Sequence, residues 1–476
     1  MNGGRICDNR LMRLAILALP LLLPAQPIPR TWNTASVANF EVPLAQPAYS
    51  PVQISEGAYY RLPERVLYKT YPVYLPSREP AGYFDWLKQQ EPELAFKASE
   101  YQTPAQWIAA GELVFNAPTS FEPVFFSAAD LRDPAFFSET GMPVAADGTV
   151  PFARWVVRKK GVVELGSMGC FICHTRVLSD GKVIAGAPSN NPLDRQGARL
   201  MRRIPMPPEK LTARLQMFAR QFEVPWVKGD PNAEARTFTL NQFIEAGEAI
   251  PPGVTARSHT SMLLAPQIPD LIGVEERRFL DHTGLIRHRD IGDLMRYSAV
   301  SQDVGAYARY GSDDKPPEPR GSRYSDPQLY ALAKFLYSLK PPPNPNPTGP
   351  AAARGRGVFE REGCVKCHTP PFYTNNQLVA WDKIGTDPRY TLQTRKGTGY
   401  YKVPSLKGVW YRTPLEHNGS VATLEDWFDP ARLRPDYQPT GFRDFRVQRR
   451  AVPGHEFGLQ LSPADKSALI AFLRAL

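Results

Sequence analysis

Cysteine is scarce in this chain, with five in 476 residues, and histidine is hardly commoner at seven. A count this low leaves no material for a disulfide framework. Long apolar runs are scarcer still. Leu14 to Leu23 is the one candidate; it has Pro20 inside it and is too short to cross a bilayer comfortably. That excludes a bundle of membrane-spanning helices. Nothing in the charge pattern points to nucleic acid. The net charge of +10 suits solubility as well as it suits an acidic partner. What the chain has in quantity is proline and glycine, 49 and 34, beside 42% hydrophobic residues. That mixture predicts an ordered but loop-rich protein, long enough for two or three domains.

Four of the five cysteines fall in two copies of one pattern: Cys170-Phe171-Ile172-Cys173-His174 and Cys364-Val365-Lys366-Cys367-His368. C-x-x-C-H is the attachment sequence of a c-type haem. Its two thiols add to the two vinyl groups of one porphyrin, and the next residue puts an imidazole on the iron. The competing reading is a zinc site split between the two cysteine pairs. It gives no reason for the histidine after each pair. Two covalently bound c-type haems are therefore expected, with His174 and His368 as proximal ligands.

The start of the chain agrees with that chemistry. Arg5, Arg10 and Arg13 precede the short apolar run, and Pro24-Ala25-Gln26 follows it, the layout of a secretory signal over residues 1–25. Covalent haem attachment takes place outside the bacterial cytoplasm, so a periplasmic or secreted protein of a Gram-negative-type bacterium is expected. Cys7 leaves with the signal. Residues 26–150 read as an irregular extension wrapping the body, with a helix over Gly82 to Gln90 and another opened by Thr103-Pro104. A hairpin over Val150 to Leu165 leads into the first motif. Residues 151–340 form the first haem domain, with helices from Pro208 to Gln221 and from Ser325 to Leu339. The proline-rich stretch 341–350 is a linker. Residues 351–476 form the second haem domain, closed by a helix that Ser462 caps. The fold class is mainly α: two cytochrome c-like helical domains related by an internal repeat, with long loops and the irregular extension.

The repeat can be read directly. Ile268-Pro269-Asp270-Leu271-Ile272-Gly273-Val274 parallels Val403-Pro404-Ser405-Leu406-Lys407-Gly408-Val409, and Arg277, His282 and Gly284 parallel Arg412, His417 and Gly419, all 135 apart. The haem motifs are 194 apart, so the first half carries about 59 extra residues after its motif. His282 and His417 look like one shared architectural feature. His455 has no counterpart; Glu318 stands in the equivalent place. Haem 2 is therefore expected to be held by His368 and His455 and closed to substrates, and haem 1 to be open. An open haem takes up a small oxidant, and a closed one moves electrons. His259, His288, Met262, Met295 and Asn190 are the residues that could reach haem 1. His259 and Glu275 are the catalytic candidates on its open face, with Glu245, Glu248 and Glu276 unranked beside them. Trp410 or Trp155 could lie between the haems.

These motifs, together with Lys402-Val403-Pro404-Ser405-Leu406, His417-Asn418-Gly419-Ser420 and Thr423-Leu424-Glu425, resemble the bacterial di-haem cytochrome c peroxidase superfamily. That superfamily includes MauG and the rubber oxygenases. The resemblance runs from about Arg154 to the C-terminus. It implies a peroxidatic or oxygen-binding N-terminal haem, a C-terminal haem that relays electrons, and often a calcium ion between them. It also implies a small soluble redox protein as partner, a c-type cytochrome or cupredoxin, with H2O2 or O2 as oxidant. Two departures are plain. The peroxidases usually have Met where this chain offers His455, and they carry a distal His soon after the first motif. Here no His occurs between His174 and His259. A peroxidase-type oxidoreductase is the leading expectation. The alternatives are a rubber-oxygenase-like dioxygenase of an apolar substrate and a pure electron-transfer cytochrome.

Overall fold

The structure, a computed structural model, describes residues 27–476 except 51, 122, 205–206, 223, 225, 229, 257–262, 303–307 and 310–320. The expected signal sequence, His259, Met262 and Glu318 lie outside the described residues. The protein is helix-rich with several small antiparallel sheets. The helices that matter here are α1 (Tyr83–Gln89), α2 (Pro104–Asn116), α3 (Leu193–Arg203), α4 (Pro208–Phe222), α5 (Leu240–Ala249), α6 (Ile291–Gln302), α7 (Asp326–Ser338), α8 (Pro350–Arg361) and α9 (Pro463–Arg474). The largest sheet has three strands in the order β1 (Thr70–Tyr74), β2 (Thr149–Lys159), β3 (Val162–Gly166).

Local chemistry sets the helix ends. Thr103 and Ser325 each accept from the backbone N–H three residues on, and Gln106 and Gln328 reach back to close a capping box. Ser462 accepts from Asp465 N. Proline at the first helical turn follows all three caps, where its missing N–H costs nothing.

Two helix pairs frame the molecule, α2 on α7 and α8 on α9, and they cross in the same way. A Cβ on Gly111 would lie 2.0 Å from Ala331 O, and one on Gly355 would lie 1.9 Å from Ala468 O. Only glycine lets the backbones approach that closely. Phe115 packs on Phe335 and Phe359 on Phe472, each with centroids 5.3 Å apart.

The extension over 26–150 is therefore not irregular throughout. It supplies α1, α2 and β1, and its first turn is anchored in the main core by Trp32. That indole is fully buried, stacks on Tyr59 at 4.8 Å and donates to Ile54 O at 3.0 Å. Burying so large an apolar surface outweighs the cost of ordering the chain around it. Helices dominate, as expected, and the hairpin expected over Val150 to Leu165 is present as β2–β3, with β1 added along its edge. Trp155 sits at the middle of that sheet, fully buried against Phe84.

Two loops 135 residues apart meet across the middle of the molecule. Gln267 N donates to His417 O at 2.9 Å, and Lys402 N donates to His282 O at 3.0 Å. The loops after the two cysteine motifs extend the same seam. Arg176 donates to Thr413 O at 3.3 Å, and Asn376 takes the N–H of Arg278 at 3.1 Å and donates to Glu276 O at 2.8 Å.

Candidate haem-binding centre

The hairpin β2–β3 delivers the chain to the first motif, as the strand-like runs on either side of Lys159-Lys160-Gly161 predict. Cys170–Cys173 form a single helical turn with Phe171 and Ile172 in the core. Cys364–Lys366 form a tighter turn after Gly363. In both, the histidine N–H donates to the carbonyl of the first cysteine, at 2.9 Å. The motif thus closes on itself, with both thiols and the imidazole at one local site. Cys170, Cys173 and Cys364 are partly buried and Cys367 is exposed.

The two imidazoles are held alike. His174 Nδ1 lies 3.1 Å from Pro269 O, and His368 Nδ1 lies 3.1 Å from Pro404 O and 3.2 Å from Tyr373 O. A carbonyl oxygen only accepts, so Nδ1 carries the proton and Nε2 keeps its lone pair. That is the tautomer and orientation an iron ligand needs. Pro269 and Pro404 are partners in the sequence repeat, although the histidines they hold are not 135 apart. Arg277 braces the first loop through Asp270 O and Ile272 O, and Arg412 braces the second through Ser405 O.

His455 faces His368. Their ring centroids are 6.3 Å apart and the planes are inclined by 59°. A first-row metal–imidazole bond is about 2 Å, so two such bonds plus two ring radii span roughly 6 Å. The gap fits one metal ion between two imidazoles. Burial holds His455 far below its ordinary range, at about 4, and lowers His368 as well, so both stand neutral. His455 Nδ1 is buried without a hydrogen-bond partner. These observations fit the expected haem 2 with His368 and His455 as its axial pair.

The candidates around the first motif divide clearly. His288 uses both ring nitrogens, on Arg277 O at 2.6 Å and Tyr337 OH at 2.7 Å, so neither is left for iron. Asn190 spends its amide on both backbone groups of Val177. Met295 is buried in the main core. Glu275 is exposed on the turn after Gly273. Glu248 pairs with Arg202 at 2.7 Å. The neighbour that sequence reasoning passed over is Asn191. It is almost fully buried and accepts from Gln196 Nε2 at 2.7 Å. Asn191 Nδ2 and Gln196 Oε1 are left buried without partners. Ser189, two residues before Asn191, donates its N–H to Cys173 O at 3.0 Å, so this polar pair lies next to the first motif. The signal was the Asn-Asn pair at the start of α3, but only burial separates the structural Asn190 from Asn191.

His282 and His417 are architectural, as the repeat implied. His282 Nε2 donates to Gln267 O at 2.7 Å. His417 Nε2 lies 2.8 Å from Glu416 Oε1, and its ring stacks on Tyr401 at 4.4 Å. Trp410 is partly buried in a small cluster with Ala187, Ile272 and Tyr411. Among the described residues no group of three or more His, Cys, Asp or Glu side chains is gathered as a metal cage, and no residues are assigned to calcium. No described helix is long and apolar enough to cross a membrane.

No family model matches the chain. A stretch of 105 residues is 33% identical to the uncharacterized protein y4iJ of Sinorhizobium fredii (strain NBRC 101917 / NGR234), covering 16% of this chain and 18% of that protein. The chain thus spans less than a fifth of that relative's length. Two solved structures are similar in part. Kuenenia stuttgartiensis hydrazine synthase pressurized with 20 bar xenon matches with a TM-score of 0.30 and 16% identity, over 59% of this chain and 92% of that one. A MauG-like protein associated with microbial copper homeostasis matches with a TM-score of 0.32 and 17% identity, over 57% of this chain and 90% of that one.

Proposed function

We propose that this chain is an exported di-haem c-type cytochrome acting as an oxidoreductase. Haem 1 is carried by Cys170, Cys173 and His174, and haem 2 by Cys364, Cys367, His368 and His455. The observation that carries the reading is the facing pair His368 and His455, 6.3 Å apart by ring centroid. When bound, the haem irons supply one-electron chemistry, and one with a vacant position takes up a small oxidant such as H2O2 or O2. The residues divide that work. Two fixed imidazoles change little on electron transfer, which suits the second site to relay. At the first site, His288, Asn190 and Met295 are engaged elsewhere. The buried Asn191–Gln196 pair offers a spare donor and a spare acceptor. With a haem bound there, Asn191 Nδ2 would donate a hydrogen bond to a small oxidant and Gln196 Oε1 would accept one.

The two-unit organisation belongs to the same proposal. The seam contacts are reciprocal: Gln267 meets His417, and its partner at 135, Lys402, meets His282. Reciprocity of that kind is what a two-fold axis between equivalent units produces. The first unit then includes α2, with its Gly111 crossing on α7, and is not confined to 151–340.

Electron paramagnetic resonance of the ferric protein tests the assignment. One high-spin and one low-spin haem are expected, with the high-spin signal lost on adding peroxide or a small ligand. Two low-spin signals, unchanged on partial reduction and indifferent to peroxide, would leave only an electron carrier.

A further inference from the structure

We propose that Arg432 is the positioning residue that holds His455 on the haem 2 iron, by clamping the backbone of the loop that carries it. The proposal rests on the axial pairing of His368 with His455. It starts from an unusual guanidinium. Arg432 is 1% exposed, yet among the described residues no carboxylate lies within ion-pair distance of it. A buried charge without an adjacent counter-ion is costly unless it is hydrogen-bonded. Here Nε donates to Trp427 O at 2.9 Å, Nη1 to Val452 O at 2.6 Å and Gly454 O at 3.0 Å, and Nη2 to His455 O at 2.9 Å. The backbone answers, with Val452 N donating to Arg432 O at 2.7 Å. Three of the four carbonyls belong to the strap that ends in His455.

The strap needs holding. Gly454 and His455 are consecutive left-handed residues, at φ +80 and +48. A side chain at 454 is excluded, since a Cβ there would lie 2.5 Å from Thr386 N. For histidine the left-handed region is uncommon and unfavourable. His455 N is tied to Ile384 O at 3.1 Å, so the residue is pinned at its N–H by one loop and at its carbonyl by Arg432. The same guanidinium lies 5.2 Å from the Trp427 ring, which packs on the His455 imidazole at 5.3 Å. Arg432 therefore sets both the backbone and one wall of the ring. Only arginine's planar fork reaches this set of carbonyls from one side chain.

The test uses the full-length holoprotein and three variants: Arg432→Gln, Arg432→Lys and His455→Gly. Arg432→Gln is expected to retain two covalent haems per chain but to weaken the axial bond. Cyanide should bind haem 2 about 10- to 100-fold faster, the range expected when a ligand's supporting partner is removed. The low-spin signal of haem 2 and its reduction potential should shift, and added imidazole should restore the low-spin signal. Arg432→Lys should fall between wild type and Arg432→Gln; if Arg432→Gln does not accumulate, it is judged by the same criteria. His455→Gly should make haem 2 high-spin; if it does not, the axial pairing itself is wrong. If His455→Gly converts haem 2 but the Arg432 variants leave its signal, potential and cyanide rate unchanged, even with a lower melting temperature, the clamp is refuted.

Discussion

Burial moves single titrating groups in opposite directions, and each carries a sign for stability. Glu41 is pushed up to about 8 by desolvation, against the opposing pull of Lys396 and the hydrogen bond from Gln53. An unfolded glutamate titrates near about 4.3. Between these values the folded chain keeps a proton that the unfolded chain releases, so stability is full below the unfolded value and falls as pH rises toward 8. Glu41→Gln should remove that loss. Its urea midpoint relative to wild type should rise from pH 5 to pH 8; a constant difference would show that Glu41 is not the group responsible. His282 acts at the other end. Desolvation lowers it to about 4. Below its unfolded value of about 6.5 the unfolded chain takes the proton first, so stability falls as pH drops from 6.5 toward 4. His282→Gln should flatten that acid limb, which urea midpoints at pH 4.5 and 7 would measure. At this scale the sequence was readable where chemistry is local. Two thiols and an imidazole in five residues announce themselves. Arg432 does not, because three of the four carbonyls it holds lie 20 to 23 residues further on.

Among the elements, helix ends were the most legible feature. Thr103, Ser325 and Ser462 cap helices where a hydroxyl residue precedes proline. The partnership of α2 with α7 was missed. Gly111, Val114 and Phe115 match Gly355, Val358 and Phe359, 244 residues apart, but the strands and loops between α2 and the first motif break the spacing. Only the structure shows that both glycines lie under a helix carbonyl. A methyl group at either one cannot be absorbed by a side chain, because the obstacle is backbone. Gly111→Ala and Gly355→Ala should each destabilise by about 1–3 kcal/mol or more, as overpacked cores do. Gly357 is the control. It lies in the same helix, α8, and a Cβ added there would meet nothing within 4 Å. Gly357→Ala should stabilise by about 0.4–1 kcal/mol. Chemical denaturation of the three variants would read the contrast. Equal effects at 355 and 357 would mean that propensity and not close approach governs the position.

For the whole molecule the question is whether the two proposed units behave as one. Their sequence repeat was visible, but not that the repeated loops meet each other. No local pattern encodes which two segments come together. Gln267 is the densest point of that meeting. Its N–H donates to His417 O, its carbonyl accepts from His282, and its amide donates to Arg412 O at 2.7 Å and to Pro414 O. Gln267→Leu keeps the backbone bonds but leaves two carbonyls without their donor. Removing one partner from a buried polar contact costs about 1–3 kcal/mol. That loss falls on the seam and not on either cysteine motif, since His174 and His368 are held by Pro269 and Pro404. Calorimetry should therefore show a lower melting temperature and a transition broader than the single cooperative one expected of wild type. The resonance signals of both haems should stay unchanged. An unaltered melting profile would mean that the seam does not couple the units. A changed haem spectrum would mean that Gln267 supports an iron ligand and not only the junction between halves.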